Sequence, residues 1–229
     1  MNIAVILAGG SGTRLGGSTP KQFLVVKGKR IIQYTIEAFE RHPLVDEIVI
    51  VCREDLIPEM QALVEHHRYG KVRHVLAGGK ERYHSSLAAL AAYDGDTDNL
   101  LFHDGVRPMV GERIITDCIR ALDRYEAVTV AVPATDTIYQ VDDQQRIVQI
   151  PPRSSLRHAQ TPQCFRAATI RRAYHLALQD PAFTTTDDCG VVRRYLPQVP
   201  IYVVEGESTN IKITYPEDLR LMEELISKV

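Results

Sequence analysis

The residues of this chain whose types and spacing could do chemistry begin at its first turn, Gly9-Gly10-Ser11-Gly12-Thr13-Arg14-Leu15-Gly16-Gly17-Ser18-Thr19-Pro20-Lys21. Glycines tolerate positive φ and let backbone N–H groups approach an anion without a Cβ in the way, and Arg14 and Lys21 set two cations beside that backbone. The chemistry indicated is phosphate binding. A Walker A loop is excluded, because the candidate glycines are followed by Ser11, Thr13, Gly17 or Ser18 and not by a lysine and a hydroxyl residue. The dinucleotide fingerprint is excluded too: Leu15 stands where its third glycine belongs, and no acidic residue ends a second strand about 20 residues on. Pro20 fixes φ, so Lys21 is held and does not wander.

Three more polar sets recur further along: Arg82 with Ser85 after Gly78-Gly79, Asp104 with Arg107, and Lys212 between Ile211 and Ile213. If Arg14 with Lys21, Arg82 with Ser85 and Asp104 with Arg107 each follow a strand, and Lys212 joins them from the C-terminal segment, several cations converge inside a chain of formal net charge −2, and gathered like charges call for an anion between them. A triphosphate and a phosphate-bearing acceptor would supply it. Asp104 ends an apolar run, where a lone carboxylate suits Mg²⁺ shared with substrate phosphates; a cap or a salt bridge to Arg107 is the structural alternative. Arg82 and Ser85 could instead be a solvated helix start, and Lys212 an exposed strand face. His103 could be a base or a structural histidine, but no base is required. A phosphate monoester has its second pKa near ~6 and is already an oxyanion at neutral pH. The protein has mainly to align it and to stabilise charge on the reacting phosphate and the leaving pyrophosphate, a role that suits Arg14 and Lys21.

The elements that must position these groups alternate. Apolar runs at 3–8, 47–51, 72–77, 99–102 and 127–132 read as strands; helical periodicity at 31–42, 56–64, 85–91 and 115–122 lies between them. That alternation predicts an α/β fold, a Rossmann-like doubly wound and mostly parallel sheet, over one domain of residues 1–229, with the functional loops at one edge. The rhythm breaks at 136–141 and 146–150, two short β-type runs around Asp142-Asp143-Gln144-Gln145, which read as a hairpin arm within 136–156. A two-stranded hairpin is marginal alone, so it should lie on a second subunit or on its own domain. Thr161-Pro162-Gln163 then leads into a helix over 167–178, and Thr185-Thr186-Asp187-Asp188 looks like a capped helix start. A strand at 199–205, an extended segment at 210–214 and a helix at 216–226 with Pro216 in its first turn complete the chain.

Composition narrows the classes. The 229 residues are 45% hydrophobic and 24% charged, as in a globular protein, and the net charge argues against a nucleic-acid surface. No apolar stretch is long enough to span a membrane and no secretory leader is evident, so a cytoplasmic protein is expected. The four cysteines are far apart without C-x-x-C spacing and read as buried free thiols, not as a zinc site.

From end to end these segments resemble the cytidylyltransferases that make 4-diphosphocytidyl-2-C-methyl-D-erythritol from CTP and 2-C-methyl-D-erythritol 4-phosphate. The likeness rests on residues 8–14, Pro20-Lys21-Gln22, Gly78-Gly79 with Arg82 and Ser85, His103-Asp104-Gly105-Val106-Arg107-Pro108, Thr161-Pro162-Gln163, Thr186-Asp187-Asp188 and Asn210-Ile211-Lys212-Ile213-Thr214 with Pro216-Glu217-Asp218-Leu219. The resemblance implies that Arg14, Lys21 and Lys212 hold the CTP phosphates and the transition state. It implies nucleotide contacts from Ala8, Gly9, Gly10, Gly12, Thr13, Gly78, Gly79, Arg82, Ser85, Asp104 and Gly105, with Asp104 also serving Mg²⁺ or another divalent cation. Arg107, Thr137, Arg153, Thr161, Thr186 and Asp187 would bind the acceptor, with Thr137 and Arg153 reaching the partner's site in a homodimer. Gly105 and Val106 depart from the two alanines common in the family, and Thr209 replaces an acidic residue of some members. The sister ribitol 5-phosphate cytidylyltransferases share most of these motifs, including a counterpart of Ile150-Pro151-Pro152-Arg153. Asp187-Asp188 and Pro216-Glu217-Asp218-Leu219 lean to methylerythritol phosphate as the acceptor. A non-catalytic nucleotide-binding protein is the alternative from another class.

Overall fold

The computed structural model of the protein describes residues 1–10 and 19–228. Strand β1 (Asn2–Ala8) is the first apolar run, and a 3-10 turn at Lys21–Phe23 follows the glycine stretch. A small hairpin of β2 (Val25–Val26) and β3 (Lys29–Arg30) leads to α1 (Ile31–Glu40). Next come β4 (Glu47–Cys52), α2 (Ile57–His67), β5 (Val72–Ala77), α3 (Arg82–Ala91), β6 (Asn99–Asp104), α4 (Glu112–Ala121) and β7 (Ala127–Pro133). The arm carries β8 (Gln140–Val141) and β9 (Ile147–Gln149), shorter than the runs that predict them. After it lie β10 (Arg157–Arg166), α5 (Ala167–Ala177), α6 (Asp188–Tyr195), β11 (Ile201–Glu205) and α7 (Pro216–Ile226).

Seven strands form one sheet in the order β11-β7-β10-β6-β1-β4-β5, parallel throughout except for β10. Successive side chains of a strand point to opposite faces, so each strand feeds two cores. Ile6, Ile50 and Leu101 pack with Phe39, Met60 and Ile115 on one face. Val5, Val49 and Phe102 pack with Leu90, Ile170 and Val192 on the other. The chain runs from β1 outward to β4 and β5 and then crosses back to β6 on the other side of β1. That reversal opens a crevice at the carboxyl ends of β1 and β6, where Leu7 and Asp104 lie in register. Gly105 closes its floor: its N–H donates to Leu7 O at 2.8 Å, and a Cβ there would meet Ile32 Cδ1 at 2.8 Å.

One expectation is corrected. Thr161-Pro162-Gln163 does not simply lead into a helix; it lies inside β10, which runs antiparallel between β6 and β7 with a register shift between Gln160 and Gln163. Gln160, Thr161 and Gln163 are buried there, and they are tolerated because distant partners satisfy them. Gln160 Nε2 donates to Glu207 O at 2.8 Å, and Asn210 Nδ2 donates to Gln160 Oε1 at 3.3 Å and to Thr161 O at 2.9 Å.

Residues 210–214 form no strand, yet they are tied down. Ile213 packs with Val26, Ile31, Val106 and Met222, and its N–H donates to Val106 O at 2.9 Å. Asn210, fully buried, is therefore the fastening between this segment and β10. Asn210→Ala should cost about 1–3 kcal/mol, because it strands buried acceptors on β10. Urea unfolding measures this, and a loss within error of zero would contradict the assigned fastening.

Candidate nucleotide site

A cavity of about 520 Å³ opens at the carboxyl ends of β1 and β6. Ala8 at the end of β1 and Gly9 and Gly10 after it line the cavity, with Lys21 from the 3-10 turn, Gly79, Lys80, Glu81, Arg82 and Ser85 from the start of α3 and the loop before it, and Asp104 and Lys212 from the far side. A larger groove of about 730 Å³, between α4 and β11 near Arg124 and Tyr202, contains none of the residues to which the sequence assigns chemistry.

Each wall has a local cause. Gln22 Nε2 donates to Ala8 O at 3.0 Å, and Lys21 Nζ donates to Ile213 O at 3.3 Å, so the turn after the glycines is anchored both to β1 and to the C-terminal segment. The Lys21 side chain runs past Gly10, whose added Cβ would lie 3.6 Å from Lys21 Cε. Gly78 lets α3 approach β4: its N–H donates to Cys52 O at 2.7 Å, and a Cβ there would clash with Ser85 Oγ. Ser85 is thereby pressed toward the cavity.

Asp104 is the electrostatic centre. Lys212 Nζ lies 2.8 Å from its Oδ2 and Arg107 Nε 3.5 Å from the same oxygen. Burial alone would raise its pKa, but Lys212 first, then Arg82 and Arg107, more than offset that and hold the carboxyl down at about 2. Beneath it, His103 is fully buried and its pKa is pushed down to about 4 by that burial. His103 Nε2 donates to Arg107 O at 3.0 Å, which leaves Nδ1 to accept from the Thr161 hydroxyl at 3.0 Å; Thr161 Oγ1 in turn accepts from Asp104 N at 3.1 Å. His103 is structural: it has no exposure through which to take a substrate proton, and it fixes the loop between Asp104 and Arg107.

The sequence-derived residues fall into groups. Ala8, Gly9, Gly10, Lys21, Gly79, Arg82, Ser85, Asp104 and Lys212 come together around the cavity. Gly12, Thr13 and Arg14 lie outside the described residues. Gly78 and Gly105 are placed behind the lining, where their lack of a side chain permits close packing. Arg107 also stays behind it, with Nη1 donating to Asn210 O at 2.8 Å and Nη2 to Ala159 O at 3.4 Å. Thr161 uses its hydroxyl inside the protein, as above. Asp187 caps α6, accepting from Gly190 N at 2.8 Å and from Gln163 Nε2 at 2.6 Å, with Thr186 exposed beside it. On the arm, Thr137 is exposed and Arg153 Nη1 donates to Thr135 O at 3.0 Å. Gln22 and Asp188 have site-building contacts that sequence reasoning did not assign; their only signal was their place beside Lys21 and Asp187.

A doubly wound sheet whose switch point carries Gly9, Gly10 and a set of cations around the Asp104 carboxylate defines an α/β nucleotide-phosphate-binding protein. More narrowly, the chain belongs to the 2-C-methyl-D-erythritol 4-phosphate cytidylyltransferase (IspD) family, whose family model matches residues 2–228. A relative of that name from Thermobifida fusca (strain YX) is 46% identical over 97% of this chain and 92% of its own length. The bifunctional ribulose 5-phosphate reductase/CDP-ribitol pyrophosphorylase Bcs1 of Haemophilus influenzae is 40% identical over 98% of this chain, which spans 48% of that protein. The crystal structure of 4-diphosphocytidyl-2C-methyl-D-erythritol synthase from Anaerococcus prevotii DSM 20548 superposes with a TM-score of 0.87 at 30% identity, covering 99% of this chain and 96% of that one.

The buried histidine makes stability depend on pH. Its folded pKa lies below the unfolded value of about 6.5, so the unfolded chain takes up the proton first as pH falls. The neutral-His contribution is complete above about 6.5 and is lost progressively toward about 4. His103→Gln, which keeps a donor and an acceptor, should lessen the fall in Tm between pH 7 and 4.5. Parallel wild-type and variant Tm curves over that range would contradict it.

Proposed function

We propose that the chain transfers CMP from CTP to 2-C-methyl-D-erythritol 4-phosphate. An oxygen of the acceptor's phosphate attacks the α-phosphorus of CTP, a new P–O bond forms, the bond from that phosphorus to the β-phosphate bridge breaks, and pyrophosphate leaves. The observation that carries this reading is the gathering of Lys21, Arg82 and Lys212 with the Asp104 carboxylate in the crevice beside Gly9 and Gly10. An acceptor already ionised at neutral pH needs no proton taken from it. Lys21, and Arg14 with it, hold the triphosphate and balance charge on the reacting phosphate. Lys212, 44% exposed, is free to turn its ammonium from Asp104 to an arriving phosphate without leaving a buried position. Ser85 and the glycines around it receive the cytidine.

A divalent cation fits this site in one form only. Among the described residues no group of three His, Cys, Asp or Glu gathers to hold a metal, so Asp104 would supply a single carboxylate and substrate phosphates the rest, a division that suits Mg²⁺. Mg²⁺ bound there would shield the triphosphate charge.

The arm belongs to the same reading. Ile138, Tyr139, Val141, Ile147, Val148 and Ile150 are each 38–58% exposed, and a second copy of the chain is the surface we assign to them, bringing Thr137 and Arg153 to the acceptor phosphate. We place the enzyme in the cytoplasm, consistent with its free cysteines.

Pyrophosphate release from CTP should require methylerythritol phosphate, with kcat/KM higher than for ribitol 5-phosphate. A preference for ribitol 5-phosphate would move the chain to the acceptor named for the Haemophilus relative, and silence with both would refute the transferase reading. Lys21→Ala should lower kcat by about 10²–10³ while circular dichroism stays native, as for loss of one preorganised charge donor. Sedimentation of the wild type should give a dimer, and Val148→Glu should shift it toward monomer; a wild-type monomer at micromolar concentration would sink the arm assignment.

A further inference from the structure

Asp188 is a fully buried carboxylate outside the cavity, at the first residue of α6. Its two oxygens have separate partners. Oδ2 accepts from Arg82 Nη1 and Oδ1 from the Tyr174 hydroxyl, each at 2.5 Å. Its backbone is held too: Gln163 Oε1 accepts from Asp188 N at 3.0 Å and from Cys189 N at 3.3 Å. Four elements meet at this one side chain, namely α3, α5, α6 and β10.

Arg82 is the member of this cluster that reaches the cavity. Among the described residues its guanidinium makes no other hydrogen bond, and none of its nitrogens is buried without a partner. Its remaining N–H donors are therefore open to a bound molecule. Two carboxylates compete for it, Asp188 behind it and Asp104 across the cavity, and both raise its pKa against the lowering effect of burial. A guanidinium released from Asp188 would be drawn to Asp104, displacing Lys212 and filling the space that a nucleotide needs.

We infer that Asp188, steadied by Tyr174 and Gln163, is a positioning residue that holds the Arg82 guanidinium on the α3 side of the cavity, with its free N–H groups directed at an oxygen of the bound nucleotide. This rests on the reading of the cavity as a CTP site. The Asp188–Arg82 pair also separates the charges of the site into two couples, Arg82 with Asp188 and Lys212 with Asp104, so that the second couple alone is left to open when phosphates arrive.

The test is CTP affinity by calorimetry, on wild type, Asp188→Asn, Arg82→Ala and the double variant, with pyrophosphate release by the wild type measured alongside. Asp188→Asn keeps the shape but removes the charge, and it should weaken CTP about tenfold, as should Arg82→Ala. If Asp188 acts through Arg82, the double variant should be within about twofold of Arg82→Ala, whereas a merely structural loss would multiply. CTP affinity of Asp188→Asn within twofold of wild type, or multiplying losses, overturns the inference. Should Asp188→Asn fail to fold, Tyr174→Phe carries the test: about threefold weaker CTP binding with little change in Tm is expected, and unchanged affinity overturns it. Wild type that binds CTP but releases no pyrophosphate defeats the transferase reading and leaves this comparison intact; wild type that binds no CTP defeats both.

Discussion

The interaction on which the rest of the site depends is the one between Asp104 and the cations around it. A carboxylate at the buried end of a central strand would cost several kcal/mol if left alone. It stays charged because Lys212, brought from the other end of the sequence, sits 2.8 Å away. That requirement explains features that are otherwise unrelated. Residues 210–214 must cross the mouth of the crevice, so Asn210 binds β10, Ile213 enters a small core with α7, and Lys21 bonds the Ile213 carbonyl. The 3-10 turn at Lys21–Phe23 and the C-terminal segment are thus fastened to each other through Lys21, a cation that also lines the cavity.

Much of this was legible in the sequence where burial and residue type agree. The central parallel strands β1, β4 and β6 are apolar runs because both of their faces are covered, and α7 carried its proline at the first turn. The convergence of Lys21, Arg82 and Asp104 followed from placing each after a strand of a doubly wound sheet, and Lys212 was expected to join them from the C-terminal segment. Strand β10 was not legible. Its middle is Gln160-Thr161-Pro162-Gln163, and nothing local shows that Glu207, Asn210, His103 and Asp188 will satisfy those polar groups from far along the chain. The same blindness hid the use of Thr161, whose hydroxyl is committed to His103 and Asp104 and not turned outward. Periodicity reports what a segment does with water; it does not report long-range polar pairing.

The crevice and the arm are built by different means. Asp104 ends β6, whose two faces are packed, Ser85 stands on the buried side of α3, and Lys21 on a turn bonded to β1, so their positions follow from the sheet. Thr137 and Arg153 stand on an arm with exposed apolar faces, and Thr186 on the loop before α6. If the arm and that loop serve the acceptor, as proposed above, a change of acceptor leaves the strands undisturbed, and relatives named for two different acceptors match this chain over nearly its whole length. Asp188 lies where the two halves meet: it starts the helix that Asp187 caps, and it grips Arg82 on the nucleotide side. A buried carboxylate thereby ties Arg82 at the cavity to the start of α6, next to the loop that carries Thr186.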